Sequence, residues 1–595
     1  MNDVQAIMSL LSSEDKQQIS KIFAPQEVAV PPANAWMDLC VMPDGEIRHY
    51  GNEHKHKVLQ GGHRVYIASR DGGLSWKKHD VPDLDRLCSA MRSPYSGRYV
   101  SSIVTWGEGG WQCMEAPTPP EAIDGWYAII SEEGPGTLPR WVKITDKRTR
   151  NHRYPLALKN RKRILLAAAM DEKVMRPVVA RTDDEGETWA VKELEAAPIH
   201  EVSWPHQGPR WQNGACEATI VERNNGSLLM LARTSQDYLY QYESFDGGET
   251  WTKPVPSPFH GTLTMPTLLR LSDHRLMLFW CNTQPLPELN KDDLWPPLNA
   301  GERSGFGGED VFTNRDANHA AISDDDGKTW HGFREIALNP IRNEADFRSK
   351  GGTRDCLDKS IHQFQALELP FHKVLLAYGQ HTLSRRLVIL DPDWLYETKR
   401  CEDFTYGLSN LSTQVYLKSV SGNIRTCSGH CSWNRTNGAV LAPDPDGNYE
   451  EALWLGCVED PRLFNLTQGA VWNFPSATKG TVMVRLRIRG TGVRLSLTDR
   501  WFNPSDWTVP EYAAISVNLD KESTGYDQWA DVHLKWVHES YEIDVEGQVI
   551  HKGRIRKNTH GQPLSFPHGL SYLVIQSRAQ TSDHLGCFIK RLEKE

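Results

Sequence analysis

No stretch of this 595-residue chain approaches the ~18 consecutive apolar residues that a membrane-spanning helix needs. The first residues, MNDVQAIMSLLSSEDKQQISKIF, lack the basic start, apolar centre and small-residue cleavage site of a secretory leader. Charge of one sign is scarce too: a net −9 over this length leaves no electrostatic footprint for nucleic acid or an anionic membrane. Cysteine is sparse and odd in number, eleven scattered residues, which argues against a fully paired disulfide framework. These absences predict a cytoplasmic protein with neither nucleic acid nor membrane as partner. Cys427-Ser-Gly-His430-Cys431 is the nearest approach to a metal motif, but no second ligand pair follows at zinc spacing. No metal and no cofactor are therefore expected.

What is present reads as globular. Hydrophobic residues make up 39% and charged residues 24%, which is the balance of a folded soluble protein and not of a disordered one. The length exceeds what one hydrophobic core sustains, so more than one domain is expected. Tryptophan is abundant, at 21 residues. Most serve cores and interfaces, and some belong to a repeat.

The repeat is Ser/Thr-x-Asp-x-Gly-x-Ser/Thr-Trp. It occurs as Ser69-Arg-Asp71-Gly-Gly73-Leu-Ser75-Trp76 and as Thr182-Asp-Asp184-Glu-Gly186-Glu-Thr188-Trp189. It returns as Ser244-Phe-Asp246-Gly-Gly248-Glu-Thr250-Trp251 and Ser323-Asp-Asp325-Asp-Gly327-Lys-Thr329-Trp330. The chemistry is that of a hairpin turn: Asp and Ser/Thr bond local backbone N–H groups, Gly takes the left-handed position, and Trp packs the turn onto its own sheet. An apolar strand-like run precedes each copy. These are Asp boxes, or BNR repeats, and on them the sequence resembles the sialidase (neuraminidase) superfamily.

Spacing counts the blades of the propeller that the resemblance implies. The box aspartates lie 184 − 71 = 113, 246 − 184 = 62 and 325 − 246 = 79 residues apart. A four-stranded blade takes ~40–50 residues. The first gap therefore holds an unboxed blade between Gly97 and Trp141, and another follows the last box from Phe364 to Leu390. Six blades result, with Gln26–Val30 positioned to pair with the last and close the ring. The expected division is a helix and arm over 1–33 (helix Glu14 to Phe23), an all-β propeller over 34–400, and an antiparallel β-sandwich over 401–595. The sandwich resembles the jelly-roll, laminin-G or lectin-like modules appended to glycan-active propellers.

The resemblance also implies a pocket at the mouth of the central channel, with three arginines for a substrate carboxylate, a Tyr–Glu nucleophile pair and an Asp acid/base. Forked guanidinium donors suit a carboxylate. Glu217 and Arg233, in the run from Gly214 to Arg233, match the glutamate and the second arginine. Arg315, ahead of the strand entering the fourth box, matches the third. The first has no match: Trp36 and Asp38 stand where it is expected, and Arg153-Tyr154-Pro155 falls in another blade. The tyrosine position falls on Gln363, beside His362.

The catalytic candidates are thus Glu217, His362, Asp38 and Asp171, the last following an apolar strand. The substrate-binding candidates are Arg233, Arg315, Arg153, Gln363, Trp36, Trp211 and His206, with Trp204 as a further aromatic platform. Glu53, His54 and His56 lie in a loop where an acid could sit. The Pro285 to Asp310 insertion, with Trp295, has the length of a lid. The expected activity is exo-acting glycoside hydrolysis of an acidic or unusual sugar in an oligosaccharide or glycan. A uronate-type lyase and a non-catalytic glycan-binding protein stand as alternatives. Oligomeric state is not readable from the sequence.

Overall fold

Short runs of alternating or wholly apolar residues punctuated by Gly, Asn and Asp fold here into successive four-stranded antiparallel meanders. The computed structural model describes residues 2–32, 39–52, 64–81, 90–105, 124–132, 134, 139–201, 203, 210, 214–285, 315–339, 361–379, 384–416, 435–436, 438–457, 467–555 and 564–595. Blade one runs from Leu39–Val41 to Lys77–Asp80, and the unboxed blade two from Met91–Arg92 to Arg140–Thr145. Blade three begins with a broken strand, Thr149–Arg150 and Leu156–Ala157, and ends at Ala190–Glu193. Blade four comprises Cys216–Glu222, Leu228–Arg233, Tyr238–Ser244 and Val255–His260. Blade five comprises Thr267–Arg270, Leu276–Trp280, Ala317–Ser323 and His331–Leu338.

Blade six has only three strands of its own, Gln365–Glu368, Val374–Tyr378 and Arg386–Leu390. Its fourth is the N-terminal Gln26–Ala29, paired antiparallel with Arg386–Leu390. The fold is an all-β six-bladed propeller whose ring is closed by the start of the chain. Two capped helices, Asp3–Leu10 and Ser13–Lys21, precede that strand, where the sequence suggested one helix over Glu14 to Phe23. The first was hidden because its apolar stripe is short. Ala6 and Ile7 are buried, and the added Cβ of an alanine at Gly45 would strike the Ala6 carbonyl at 2.2 Å.

Each Asp box occupies the turn between the third and fourth strands of its blade, in blades one, three, four and five. The Ser/Thr hydroxyl bonds the Asp carboxylate, which accepts the backbone N–H four residues on. The Trp Nε1 donates to the box glycine carbonyl at 2.9–3.2 Å. Beyond its own sheet, the turn also meets its neighbour. A Cβ on Gly186 would lie 2.5 Å from Ile130 of blade two, and one on Gly73 would lie 3.3 Å from Ile389 of blade six. The glycine is thus needed for blade-to-blade contact as well as for its positive φ.

Beyond the propeller two antiparallel sheets pack face to face around one apolar core that includes Trp472, Phe474, Leu486 and Trp536. The larger sheet contains Lys479–Ile488, Trp529–Val537, Ser540–Val545 and Asp583–Lys594; the smaller contains Gly469–Ala477, Val493–Thr498 and Leu570–Ser577. The smaller sheet faces blade five. Asn473 accepts from the Glu335 N–H at 3.1 Å and donates to the Phe333 carbonyl at 3.1 Å. Ala317 of the blade shares a core with Trp501, Phe502 and Tyr572 of the sandwich.

Several buried histidines are held neutral. Burial lowers His49 to about 4 and His319 to about 3, from an ordinary 6.5. The unfolded chain takes up these protons below about pH 6.5 while the folded chain refuses them. Their contribution is therefore intact above neutrality and is lost as pH falls. For His49 the loss reaches about 2 kcal/mol at pH 5. Denaturation midpoints should drop between pH 7.5 and 5, and a His49→Asn variant should drop less; equal slopes for the two proteins would contradict this origin.

Candidate active site

The first strand of each blade starts at the end of the ring opposite the boxes. In blade four that start is Cys216, paired with Arg233, but the next pair is Thr219 with Leu231. The register shift is a bulge, and within it Glu217 takes a left-handed φ of 47°. A bulge of this kind re-aims a side chain. Arg233 Nη1 donates to Glu217 Oε2 at 2.9 Å, and Asn151 Nδ2 from blade three donates to Oε1 at 3.2 Å. Glu217 is 2% exposed and Arg233 5%.

Burial is the largest influence on the Glu217 carboxyl and works to raise its pKa. Arg233, then Arg153 and Arg315, outweigh it and hold the group below its ordinary value. Glu217 is therefore a desolvated but ionised carboxylate. Three guanidinium groups from blades three, four and five act on it.

Arg153 is the arginine that the expected order of motifs placed in the wrong blade. The structure brings it to the cluster. It sits in the gap of blade three's broken first strand, and its Nη2 donates to the Pro266 carbonyl at 2.9 Å and to Thr267 Oγ1 at 2.8 Å. Thr267 Oγ1 donates in turn to the Phe364 carbonyl at 2.9 Å, so blades three, five and six are linked through one guanidinium. Burial pushes Arg153 down to about 10, with Glu217 opposing it. Its Nε and Nη1 are buried and make no hydrogen bond. Arg315 is fully buried; its Nη2 donates to the Leu263 carbonyl, and its backbone carbonyl accepts from the Ile361 N–H at 3.1 Å.

Gln363 and His362 precede the first strand of blade six, both buried, with Gln363 Nε2 3.2 Å from His362 Nε2. Gln363 has a left-handed φ of 71°. Asp171 directly follows the second strand of blade three, Ile164–Met170, and its carboxylate is taken by Arg150 at 3.3 Å. Asp38, Trp36, His206, Trp211 and Trp204 lie outside the described residues, as do Glu53, His54, His56, Trp295 and the Cys427–Cys431 segment. Among the described residues no cluster of three His, Cys, Asp or Glu side chains is placed to hold a metal.

A tyrosine–glutamate pair does exist, in a different place. Tyr572 Oη donates to Glu335 Oε1 at 2.7 Å between sandwich and blade five. Burial, followed by Glu335, drives this tyrosine well above its ordinary pKa, which is the opposite of activation for nucleophilic attack. Asn151 was not singled out in the sequence. Its one local signal is that asparagine tolerates the left-handed region better than other side chains, and here φ is 56°.

Residues 148–340 match the family described as BNR repeat-like domain. The matched segment spans blades three to five. It contains Asn151, Arg153, Glu217, Arg233 and Arg315 together. Among solved structures, the Trypanosoma rangeli sialidase in complex with sialic acid is similar at 11% identity and a TM-score of 0.34, over 96% of this chain and 91% of that one. The structure titled "NanB plus Optactamide" is similar at 12% identity and a TM-score of 0.36, over 65% and 70%. Likeness at this level says nothing about chemistry. A comparison with curated proteins finds no match.

The charge cluster around Glu217 makes a stability prediction. Removing Arg233 takes the nearest counter-charge from a buried carboxylate, so Arg233→Met should cost about 3 kcal/mol. Asp171→Asn breaks a half-exposed pair and should cost less than about 1 kcal/mol. Urea denaturation of both variants checks this, and equal losses would show that Glu217 does not depend on Arg233.

Proposed function

We propose that this propeller is an exo-acting glycoside hydrolase whose substrate carries an acidic sugar. The observation that carries the reading is the set of three arginines around one ionised glutamate, with Arg153 holding two buried nitrogens, Nε and Nη1, in reserve. Buried guanidinium donors without acceptors are costly unless an anion completes them. Arg153, Arg233 and Arg315 would then hold the acid group of a ulosonic or uronic acid.

Glu217, ionised because of those arginines, acts in this reading as the proton acceptor for an attacking water or as the group that polarises it. It is not the acid. The proton for the departing oxygen comes from a second group, for which His362, Asp38 and Asp171 are the candidates. Gln363 stands where the superfamily resemblance places a tyrosine, and a carboxamide cannot form the glycosyl-enzyme bond. The reading therefore favours direct attack by water over a covalent intermediate.

His362 beside Gln363 supports a second reading, a uronate-type lyase. There the arginines neutralise the uronate and the imidazole abstracts the C5 proton. A panel of sialosides, ulosonides and uronides with product analysis separates the two. Hydrolysis gives a saturated acid sugar, elimination gives an unsaturated product that absorbs ultraviolet light, and binding without either product marks a glycan-binding protein. Glu217→Gln should lower turnover at least ~100-fold while the circular dichroism spectrum stays native. Full activity in that variant would remove Glu217 from the chemistry.

A further inference from the structure

Near the start of the first strand in four consecutive blades stands a residue other than glycine with left-handed backbone: Asn151, Glu217, Leu263 and Gln363, at φ of 56°, 47°, 50° and 71°. Each costs about 1 kcal/mol or more, and such outliers persist where the surrounding structure forces them. Three of the four carry polar side chains. Two of those three, Asn151 and Gln363, end in amides.

The orientation of the Asn151 amide follows from its partner. Glu217 is an ionised carboxylate and can only accept, so Asn151 turns its nitrogen to Oε1 at 3.2 Å and its oxygen away. That oxygen, Oδ1, is buried and accepts no hydrogen bond. Gln363 places Nε2 3.2 Å from His362 Nε2, and in the tautomer whose Nε2 accepts that bond Oε1 is left buried without a donor. A buried acceptor left without a donor costs about 1–3 kcal/mol. Arg153, with Nε and Nη1 equally unmatched, is joined through Thr267 to the Phe364 carbonyl next to Gln363. Unfilled acceptors and unfilled donors thus occupy the same end of the ring.

We infer that Asn151 and Gln363 accept hydrogen bonds from hydroxyl or N–H donors flanking the ligand's acid group. The site thereby selects a polyhydroxylated ring acid over other organic anions. The inference rests on the acidic-sugar reading and adds what surrounds the acid. It also gives Gln363 a role of its own, as a reader of donors where the superfamily resemblance expects a nucleophile. Asn151 has a double part, holding Glu217 with its nitrogen and the ligand with its oxygen.

Calorimetric titration of the full-length protein tests this with three acids: D-glucuronate, N-acetylneuraminate and cyclohexanecarboxylate. The last keeps ring and carboxylate and lacks every donor. At least one hydroxylated acid should bind about tenfold more tightly than cyclohexanecarboxylate. Asn151→Ala and Gln363→Leu should each weaken that acid about tenfold and leave cyclohexanecarboxylate within about twofold. Equal binding of hydroxylated and bare acids by the unaltered protein would overturn the inference while the acidic reading stands. So would variants that weaken all acids alike, because the amides would then act only through Glu217 or the fold. Absence of binding by every acid would remove the acidic reading and this inference with it. Should Asn151→Ala fail to fold, the unaltered protein and Gln363→Leu still decide.

Discussion

A carboxylate without water must be surrounded by positive charge or give up its own, and Glu217 is such a carboxylate. Its burial works to neutralise it, and guanidinium groups from three blades prevent that. Those guanidinium groups are themselves buried, and Arg153 shows the strain of it in a lowered pKa. None of the four could stand alone at this end of the ring. The charge cluster therefore exists only when blades three, four and five are assembled. The bulge at Glu217 and the broken first strand at Arg153 are the backbone irregularities that allow it.

The rest of the architecture can be understood as holding that end of the ring still. Closure by Gln26–Ala29 gives blade six its fourth strand, and the box glycines lock each turn against the blade before it. The sandwich adds a second brace at blade five. Asn282 and Trp501 exchange backbone hydrogen bonds through their neighbours, with Trp501 N–H donating to the Asn282 carbonyl and Gln284 N–H to the Trp501 carbonyl. Asp316, the residue after Arg315, accepts from Asn339 at 2.9 Å and from Gln414 of the sandwich at 3.5 Å. The C-terminal sheets are thus packed into the base of one arginine's loop. They are more than a module carried on a tether.

Local chemistry was legible in the sequence and long-range chemistry only in part. The Asp box is a set of contacts within eight residues, so its pattern and spacing give the turns, the blade number and the unboxed second and sixth blades. Glu217 and Arg233 are neighbours across one hairpin, and strand register alone places them together. Arg153 stood among the binding candidates although motif order put it in another blade, because spatial convergence and not order decides what meets. A guanidinium from blade three reaches the cluster as well as one from blade one would. Asn151 had no sequence signal equal to its position, since its partner lies 66 residues away. In the sandwich, Gly469–Ala477 is hard to read as a strand from sequence for a different reason. It is buried on both faces, against the core and against blade five, so the period-two alternation that marks a strand is erased.

The same distinction bears on the missing tyrosine. A phenol serves as nucleophile when an adjacent carboxylate takes its proton in a setting that tolerates the resulting charge. Tyr572 has the carboxylate, in Glu335, but lies in a dry interface where the phenolate is disfavoured. The end of the ring near Glu217 has the opposite character: positive charge in excess of the one carboxylate it surrounds, and an amide at the position in question. Guanidinium groups in such a setting suit an anionic ligand and any negative charge that develops on it. An amide offers an acceptor where a phenol would offer a bond-forming group, and it stands at the same end of the ring as guanidinium groups whose charge suits an acid. On the proposed reading this arrangement holds an acid in a fixed pose, and the chemistry falls to water, to Glu217 and to a proton donor among His362, Asp38 and Asp171.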